Sequence, residues 1–259
     1  GVYLYETNKA ADCIPYLKSL LEFAGANEKM NVEAEQMLFR SKMKMNPVPF
    51  DPKPVQGVST ADPEYLAAIA PDDDTFFFTR RYDETKKGSI TPVSVEKFMI
   101  AKRDTNGVFT KGEPLPFPFN AANNNNEGGP AISKDNRMMV FTRNNNGNFD
   151  LFFSTMGVEK WGEIQNMGSS VNDPKQWDSQ PSMASDGKTI YFATYRDSVN
   201  GTSDIYMTTK KDGTFTKAVR ASFNTNGNER SPFIHPDNST FYFSSDSLPG
   251  MGGFDIYML

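Results

Sequence analysis

Four carboxylates recur at one position of a repeated segment, and they are the first residues of this sequence that could do chemistry. They are Glu64, Glu127, Asp178 and Glu229. A phenylalanine follows each of them by fourteen residues, so the four positions are equivalent. If the repeated segments surround a central channel, the four carboxylates at its mouth could bind a cation or a basic peptide. The alternative, which the repetition favours, is that each accepts hydrogen bonds from the backbone of a neighbouring unit.

The residues usually needed for catalysis are scarce. Cys13 is the only cysteine and His235 the only histidine, which excludes an internal disulfide, a multi-cysteine metal site and a site with two imidazoles. The sequence has no Gly-x-Ser-x-Gly elbow and no EF-hand loop. Asp150, Asp204 and Asp255 also recur, and we expect them to bond turns. The sequence therefore predicts a protein that is not an enzyme and holds no cofactor and no metal.

Contacts with a partner are the remaining kind of site. Trp177 directly precedes one of the repeated carboxylates and is the best candidate for a partner-contacting aromatic residue. Lys86 and Lys87 lie in an insertion at residues 83–96 that we expect to be a long loop. The candidate partner-binding residues are Trp177, Glu64, Glu127, Asp178, Glu229, Lys86 and Lys87.

The repeat itself predicts the elements that hold these residues. The last three units begin at residues 127, 178 and 229, a period of 51. Each unit has a short strand, a turn rich in Asp or Asn, an apolar strand and a third strand. A more polar fourth strand is predicted around residues 109–111, 160–163 and 215–217. Four strands at this period are typical of a β-propeller blade, so we predict a mainly β chain with four-stranded antiparallel blades at 64–126, 127–177, 178–228 and, incomplete, 229–259.

The first part of the chain has a different period. Apolar residues recur at three- and four-residue steps up to about residue 46, which predicts a helical hairpin similar to a tetratricopeptide fragment, with Asn31 capping its second helix. A Pro-rich linker follows at 47–63. Because the sequence ends inside the third strand of the fourth blade, we expect residues 52–58 to complete that blade as a clasp strand.

Composition excludes two further classes. The net charge of −5 and the pI near 5.1 disfavour binding to nucleic acid, which needs a basic face. No apolar run approaches the ~18 residues of a membrane-spanning helix. Aromatic residues form 13% of the chain although hydrophobic residues form only 37%, a balance that fits aromatic strands between polar turns.

The last unit resembles a known repeat. The strings that carry the resemblance are NERSP at 228–232, PD at 236–237, FYFSSD at 241–246 and GGFDIY at 252–257. They are similar to the WD40-like propeller repeat with a Pro-Asp turn. That repeat occurs in the Tol-system propeller protein, in some peptidases and in outer-membrane-associated proteins with an OmpA-like domain.

A helical segment that leads through a Pro-rich linker into such repeats resembles the PorE-type components of the type IX secretion system. This resemblance implies a non-enzymatic scaffold in the periplasm, associated with the outer membrane. Its partners would be envelope proteins of a secretion or gliding machinery, with a peptidoglycan link through a domain outside this chain. Two alternatives stay open: the gating propeller of a prolyl-oligopeptidase-like peptidase, and a glycan- or peptidoglycan-binding module.

Overall fold

The computed structural model describes residues 2–7, 9–23, 25–47, 49, 51–85, 90–120, 126–145, 147–196 and 201–259. Contacts divide the chain into two compact units. The first comprises Gly1–Lys53 and Ser245–Ile256, and the second comprises Pro54–Ser244 and Tyr257–Leu259.

The first unit contains helices α1 (Val2–Glu6), α2 (Ala10–Glu22) and α3 (Glu28–Met45). Helices α2 and α3 pack through Cys13, Leu17 and Ala34, which are almost fully buried, so each helix covers the apolar face of the other. Asn27, not Asn31, caps α3: its Oδ1 accepts the Met30 N–H at 2.9 Å. No helix in the described part of the chain combines the length and apolar character that crossing a bilayer requires.

Sixteen strands are described, and they form four sheets. The first sheet contains β1 (Glu64–Ile69), β2 (Thr75–Glu84), β3 (Val93–Lys102) and β4 (Glu113–Pro114). The second contains β5 (Glu127–Ile132), β6 (Met138–Asn145), β7 (Asn148–Thr155) and β8 (Gln165–Asn166). The third contains β9 (Asp178–Met183), β10 (Thr189–Thr194), β11 (Asp204–Lys211), β12 (Thr214–Phe215) and β13 (Val219–Arg220). The fourth contains β14 (Glu229–Ile234), β15 (Phe241–Ser245) and β16 (Asp255–Met258).

The sheets are the blades of a propeller, which confirms the predicted fold class. Neighbouring strands within each blade are antiparallel and follow chain order, except that β12 and β13 both pair with β11. The first strands of successive blades, β1, β5, β9 and β14, lie beside one another in that order. These four inner strands begin with the four repeated carboxylates, so the repeat places all four at the same end of the inner strands.

The core lies between the blades, and the second strands β2 and β6 bury both of their faces. In β6, Met139 and Phe141 pack with Phe98 of the first blade. Val140, which lies between them, packs with Ile190 of the third blade. Side chains alternate across a strand, so a continuous apolar run can fill two interblade spaces at once.

The fourth strands are predicted too early in the first two blades, whereas in the third blade β12 overlaps the predicted position 215–217 and pairs with β11. Phe109 and Trp161 make only single bridges, to Arg103 and Met156. The strands that complete the first three blades are β4, β8 and β13, each two residues long and a few residues later in the sequence. Their residues are exposed. Such short polar edges have no apolar alternation, which is the signal that sequence patterns detect.

The insertion predicted as a loop at 83–96 is partly a strand extension. The β2–β3 ladder continues through the pairs Tyr82↔Val95, Asp83↔Ser94 and Glu84↔Val93. β-Branched valines at 93 and 95 suit the extended backbone. The loop is correspondingly shorter than predicted.

The clasp predicted at residues 52–58 does not form. No strand is assigned to any described residue between 51 and 63, and the sheet of the fourth blade has three strands. Val58 and Ser59 instead close a turn onto the Val55 carbonyl, at 3.2 and 2.9 Å. Val58 packs in the first blade, in a cluster with Phe76 and Phe109. Prolines in this segment lack N–H donors, so they cannot sustain a ladder.

Candidate functional site

The repeated carboxylates fasten the loops that precede their own strands. Each accepts a backbone N–H from the preceding connection. The bonds run from Thr60 to Glu64 at 3.2 Å, from Asn120 to Glu127 at 3.0 Å, from Asp173 to Asp178 at 2.6 Å and from Thr225 to Glu229 at 2.9 Å. For the last three, the donor belongs to the connection from the previous blade. This is the structural role that the repetition favoured.

Arginines on the second strand, or two residues after it in the third blade, neutralise three of these carboxylates. The ion pairs are Arg80–Glu64 at 2.8 Å, Arg143–Glu127 at 3.4 Å and Arg196–Asp178 at 2.5 Å. The side chains of Glu127 and Asp178 are 2% and 0% exposed. Carboxylates this buried need partners to stay charged, and the arginines and loop N–H groups supply them.

The local surroundings change the acidity of these groups in opposite directions. Burial is the largest effect on Glu127 and raises its pKa, although the Asn120 N–H and Arg143 oppose it. Burial likewise raises the pKa of Asp178. For Glu64, burial also acts to raise the pKa, but hydrogen bonds from Thr60 and Arg80 outweigh it and leave the pKa lowered. The three groups therefore share a position and a partner type but not a pKa shift.

These contacts bear on the predicted partner-binding role of the four carboxylates. Glu127, Asp178 and Glu229 are buried residues, and Glu64 is partly buried. Buried oxygens that already accept loop and arginine hydrogen bonds can shape a surface by positioning loops. Direct contact of these carboxylates with a partner stays a prediction.

A second repeated side chain, which sequence reasoning missed, bonds the third strand of each of the first three blades. Asn120, Asn172 and Asn224 each accept the N–H and donate to the carbonyl of one residue. The residues held are Phe98, Leu151 and Ile205, with distances of 2.7–2.9 Å. We call these three asparagines the asparagine clamps. An apolar residue followed by Asn, recurring every 52 residues, was the available signal.

Trp177 lies in a stack of side chains at the end of the inner strands where the carboxylates stand. Its ring centroid is 5.4 Å from that of Tyr195, with the planes inclined at 53°. Arg230 lies on β14, the next inner strand. Its guanidinium is 5.3 Å from the Tyr195 ring centroid and donates to the Tyr195 hydroxyl. All three residues are half-buried. We call Trp177, Tyr195 and Arg230 the rim stack.

The surroundings of the rim stack fix its members before any partner arrives. Arg230 Nε donates to Ser203 Oγ at 2.9 Å, which orients the guanidinium. The Tyr195 N–H donates to the Trp177 carbonyl at 3.3 Å. Asn148 Nδ2 donates to the Gln176 carbonyl at 2.8 Å and so ties the loop before Trp177 to the second blade. Half-buried aromatic and arginine side chains with fixed positions are typical of protein-binding surfaces.

Sequence reasoning found only one member of the rim stack. Tyr195 and Arg230 belong to different blades. Tyr195 comes eighteen residues after Trp177 in the sequence, and Arg230 comes fifty-three residues after it. The one available signal was Arg230 itself, because the residue after the carboxylate is Tyr65, Gly128 or Ser179 in the other blades. An arginine at this inner-strand position breaks the repeat.

The remaining candidates contribute less. Lys86 and Lys87 lie outside the described residues. His235 is exposed and starts the hairpin of the fourth blade, with Nδ1 3.0 Å from Asp237 Oδ2. Asp255 accepts the Met251 N–H at 2.7 Å, as expected for a turn-bonding group, whereas Asp204 forms an ion pair with Arg220 of β13 at 2.8 Å. Within the described residues, no three His, Cys, Asp or Glu side chains converge as metal ligands.

Comparisons with known proteins show the fold and nothing finer. No known family profile and no curated protein matches the chain. TolB from Acinetobacter baumannii is similar at a TM-score of 0.50 and 15% identity, over 89% of this chain and 56% of that one. A puromycin-hydrolyzing peptidase of Mycobacterium tuberculosis is similar at 0.50 and 10%, over 83% of this chain and 32% of that one. The chain thus spans about half the length of that TolB, and identities this low indicate a shared propeller only.

Proposed function

We propose that this chain is a non-enzymatic, protein-binding propeller that serves as a scaffold in the periplasm. The observation that carries the proposal is the rim stack, which presents Trp177, Tyr195 and Arg230 together and half-buried. Tryptophan, tyrosine and arginine are the residue types most enriched among the side chains that dominate protein-binding energies. The rim stack is already held by hydrogen bonds within the chain, so binding a partner costs little entropy for ordering its side chains.

The finer assignment rests on the sequence resemblance. The Pro-Asp type repeats after a helical lead-in resemble outer-membrane-associated propeller proteins, in particular those of the PorE type. We therefore assign the scaffold to a type IX secretion or gliding machinery, in contact with envelope proteins. A link to the cell wall would come from a domain outside this chain.

Affinity purification from the native host tests this function. The tagged full chain should retain one or more envelope proteins at a fixed stoichiometry, and Trp177→Ala or Arg230→Gln should release them. Phe117→Ala is the matched control, because Phe117 is an aromatic residue that is 81% exposed and lies outside the rim stack. Equal melting temperatures of the variants would separate lost binding from lost folding.

Two results would replace the proposal with one of its alternatives. Retention of soluble muropeptides by the wild type but not by Trp177→Ala would indicate a glycan-binding module. A hydrolase domain encoded in the same gene would indicate the gating propeller of a peptidase, a class that shares this fold. A wild-type chain recovered as a free monomer under native conditions would contradict the scaffold.

A further inference from the structure

The hairpins at the other end of the inner strands are linked to each other at two blade junctions. Asn136, in the hairpin of the second blade, donates through Nδ2 to Asp72 of the first at 2.8 Å. Asn238, in the hairpin of the fourth blade, accepts the Ser185 N–H of the third at 2.9 Å. The two asparagines hold the same place in the repeat, with φ of 57° and 58°. Asparagine tolerates this left-handed backbone, so it can serve both the turn and the link.

The junction between the second and third blades lacks this link. Gly187 takes the repeat position there, with the same left-handed backbone at φ 65°. Glycine suits the turn but has no side chain that could reach the second blade. A groove of about 750 Å³ lies between the two hairpins. We call it the hairpin groove.

Cationic side chains line the hairpin groove. Lys134 and Arg137 come from the second blade, and Lys188 and Lys210 from the third. None of the four forms an ion pair with a residue that the structure describes. The lining also includes two methionines, Met138, which is buried, and Met156, which is half-buried. The groove therefore combines unpaired positive charge with an apolar surface.

Two aspartates also line the groove, but their own turns occupy them. Asp135 Oδ1 accepts the Ser133 hydroxyl at 2.5 Å and the Arg137 N–H at 3.0 Å. Asp186 accepts two backbone N–H groups through Oδ1 and the Thr189 hydroxyl through Oδ2, at 2.7–2.8 Å. Arg137 donates to the Met156 carbonyl at 3.2 Å, and the Lys210 ammonium lies 5.2 Å from the Phe153 ring centroid, but neither contact cancels a positive charge. Four cations against two aspartates leave the groove positive in a chain whose net charge is −5.

We propose that the hairpin groove binds an acidic peptide segment of a protein partner. Charge complementarity selects the ligand, because four cations line one groove of about 750 Å³. Main-chain and aliphatic atoms of the peptide would cover Met156. This site lies at the opposite end of the inner strands from the rim stack and shares no residue with it, so the two proposals stand or fall separately.

Fluorescence anisotropy with the full chain and a labelled hexaglutamate peptide tests the site. We expect Lys134→Gln/Lys188→Gln to weaken binding about fivefold or more, since the double variant loses two exposed charge pairs with the peptide. Lys217→Gln is the matched control, because Lys217 is exposed and does not line the groove. Binding should also weaken as salt rises.

A second variant tests the groove rather than its charge. Gly187→Asn supplies the linking side chain found at the other two junctions, and a Cβ atom at position 187 meets no described atom within 4 Å. We expect it to fold and to reduce peptide binding. Equal binding of a hexaglutamine peptide, unchanged affinity in both variants, or tighter binding of a single-stranded oligonucleotide of equal charge would each overturn the proposal. The rim-stack variants should bind the peptide as the wild type does.

Discussion

At the residue scale, single asparagine side chains supply the hydrogen bonds that a neighbouring strand would otherwise make to the third strands. Each asparagine clamp bonds both the N–H and the carbonyl of one residue on a third strand. A backbone partner would make the same two bonds. Because the outer strands are only two residues long, the clamp supplies pairing where the ladder ends. The clamps therefore stabilise buried backbone that the outer strands do not reach.

Removing a clamp should cost more than removing an exposed asparagine. Asn172→Ala leaves the N–H and carbonyl of buried Leu151 without their side-chain partner. We expect the free energy of unfolding to fall by about 2–4 kcal/mol, measured by urea denaturation. Asn106→Ala, at an exposed site, should change it by less than about 0.5 kcal/mol. Equal effects would show that the clamps do not carry the third strands.

The repeated carboxylates should affect the pH dependence of stability with opposite signs. The lowered pKa of Glu64 stabilises the fold above its unfolded pKa of ~4.3, and this contribution is lost as the pH falls through the folded pKa. The raised pKa of Glu127 gives a contribution that is present below the unfolded pKa and lost as the pH rises through the folded pKa.

Urea denaturation between about pH 3 and 7 measures both slopes. Relative to the wild type, Glu64→Gln should lose less stability on acidification. Glu127→Gln should lose less stability than the wild type as the pH rises from about 4. Shifts of the same sign in the two variants would contradict the assignment of one group to hydrogen bonding and the other to burial.

At the element scale, the second strand of each blade carries the packing. Phe141 on β6 is fully buried and lies 5.9 Å from Phe98 and 5.4 Å from Phe119, both of the first blade. Its neighbour Val140 faces the third blade. One strand therefore joins three blades, and a cavity at Phe141 should weaken the junction between the first two.

Phe141→Ala should destabilise the propeller by about 3–5 kcal/mol, because a large buried ring leaves a cavity that neighbours fill only in part. Phe117→Ala, which removes a ring that is 81% exposed, should change the free energy of unfolding by less than about 0.5 kcal/mol. Chemical denaturation of both variants measures the difference. A loss below 1 kcal/mol for Phe141→Ala would count against packing between blades as the main source of stability.

The elements that the sequence predicts well are those with a strong apolar pattern. The Phe-rich second strands and the carboxylate–Phe spacing define the blades without any structure. The positions of the outer strands β4 and β8 are not predicted, because two exposed residues carry no periodic signal. The rim stack is not predicted from the sequence for a different reason. Trp177, Tyr195 and Arg230 become neighbours only when two blades pack, and local sequence does not encode that contact.

At the scale of the whole molecule, departures from the repeat mark the surfaces on which the proposals rest. The carboxylates recur in all four blades, and such common features hold the fold. Trp177 stands where the other blades have Pro63, Asn126 or Asn228, and Gly187 stands where they have Asp73, Asn136 or Asn238. A fold built from equivalent blades needs none of these exceptions for stability, so they are the positions at which function can differ.

The proposed scaffold function requires the rim stack to contact a protein. Photo-crosslinking in the native host tests it directly, with a photoreactive phenylalanine placed at position 177, at 195 or, as a control, at 117. We expect positions 177 and 195 to crosslink to the same envelope protein and position 117 to form no such crosslink. The absence of a protein adduct at 177 and 195, or the same adducts at all three positions, would contradict it.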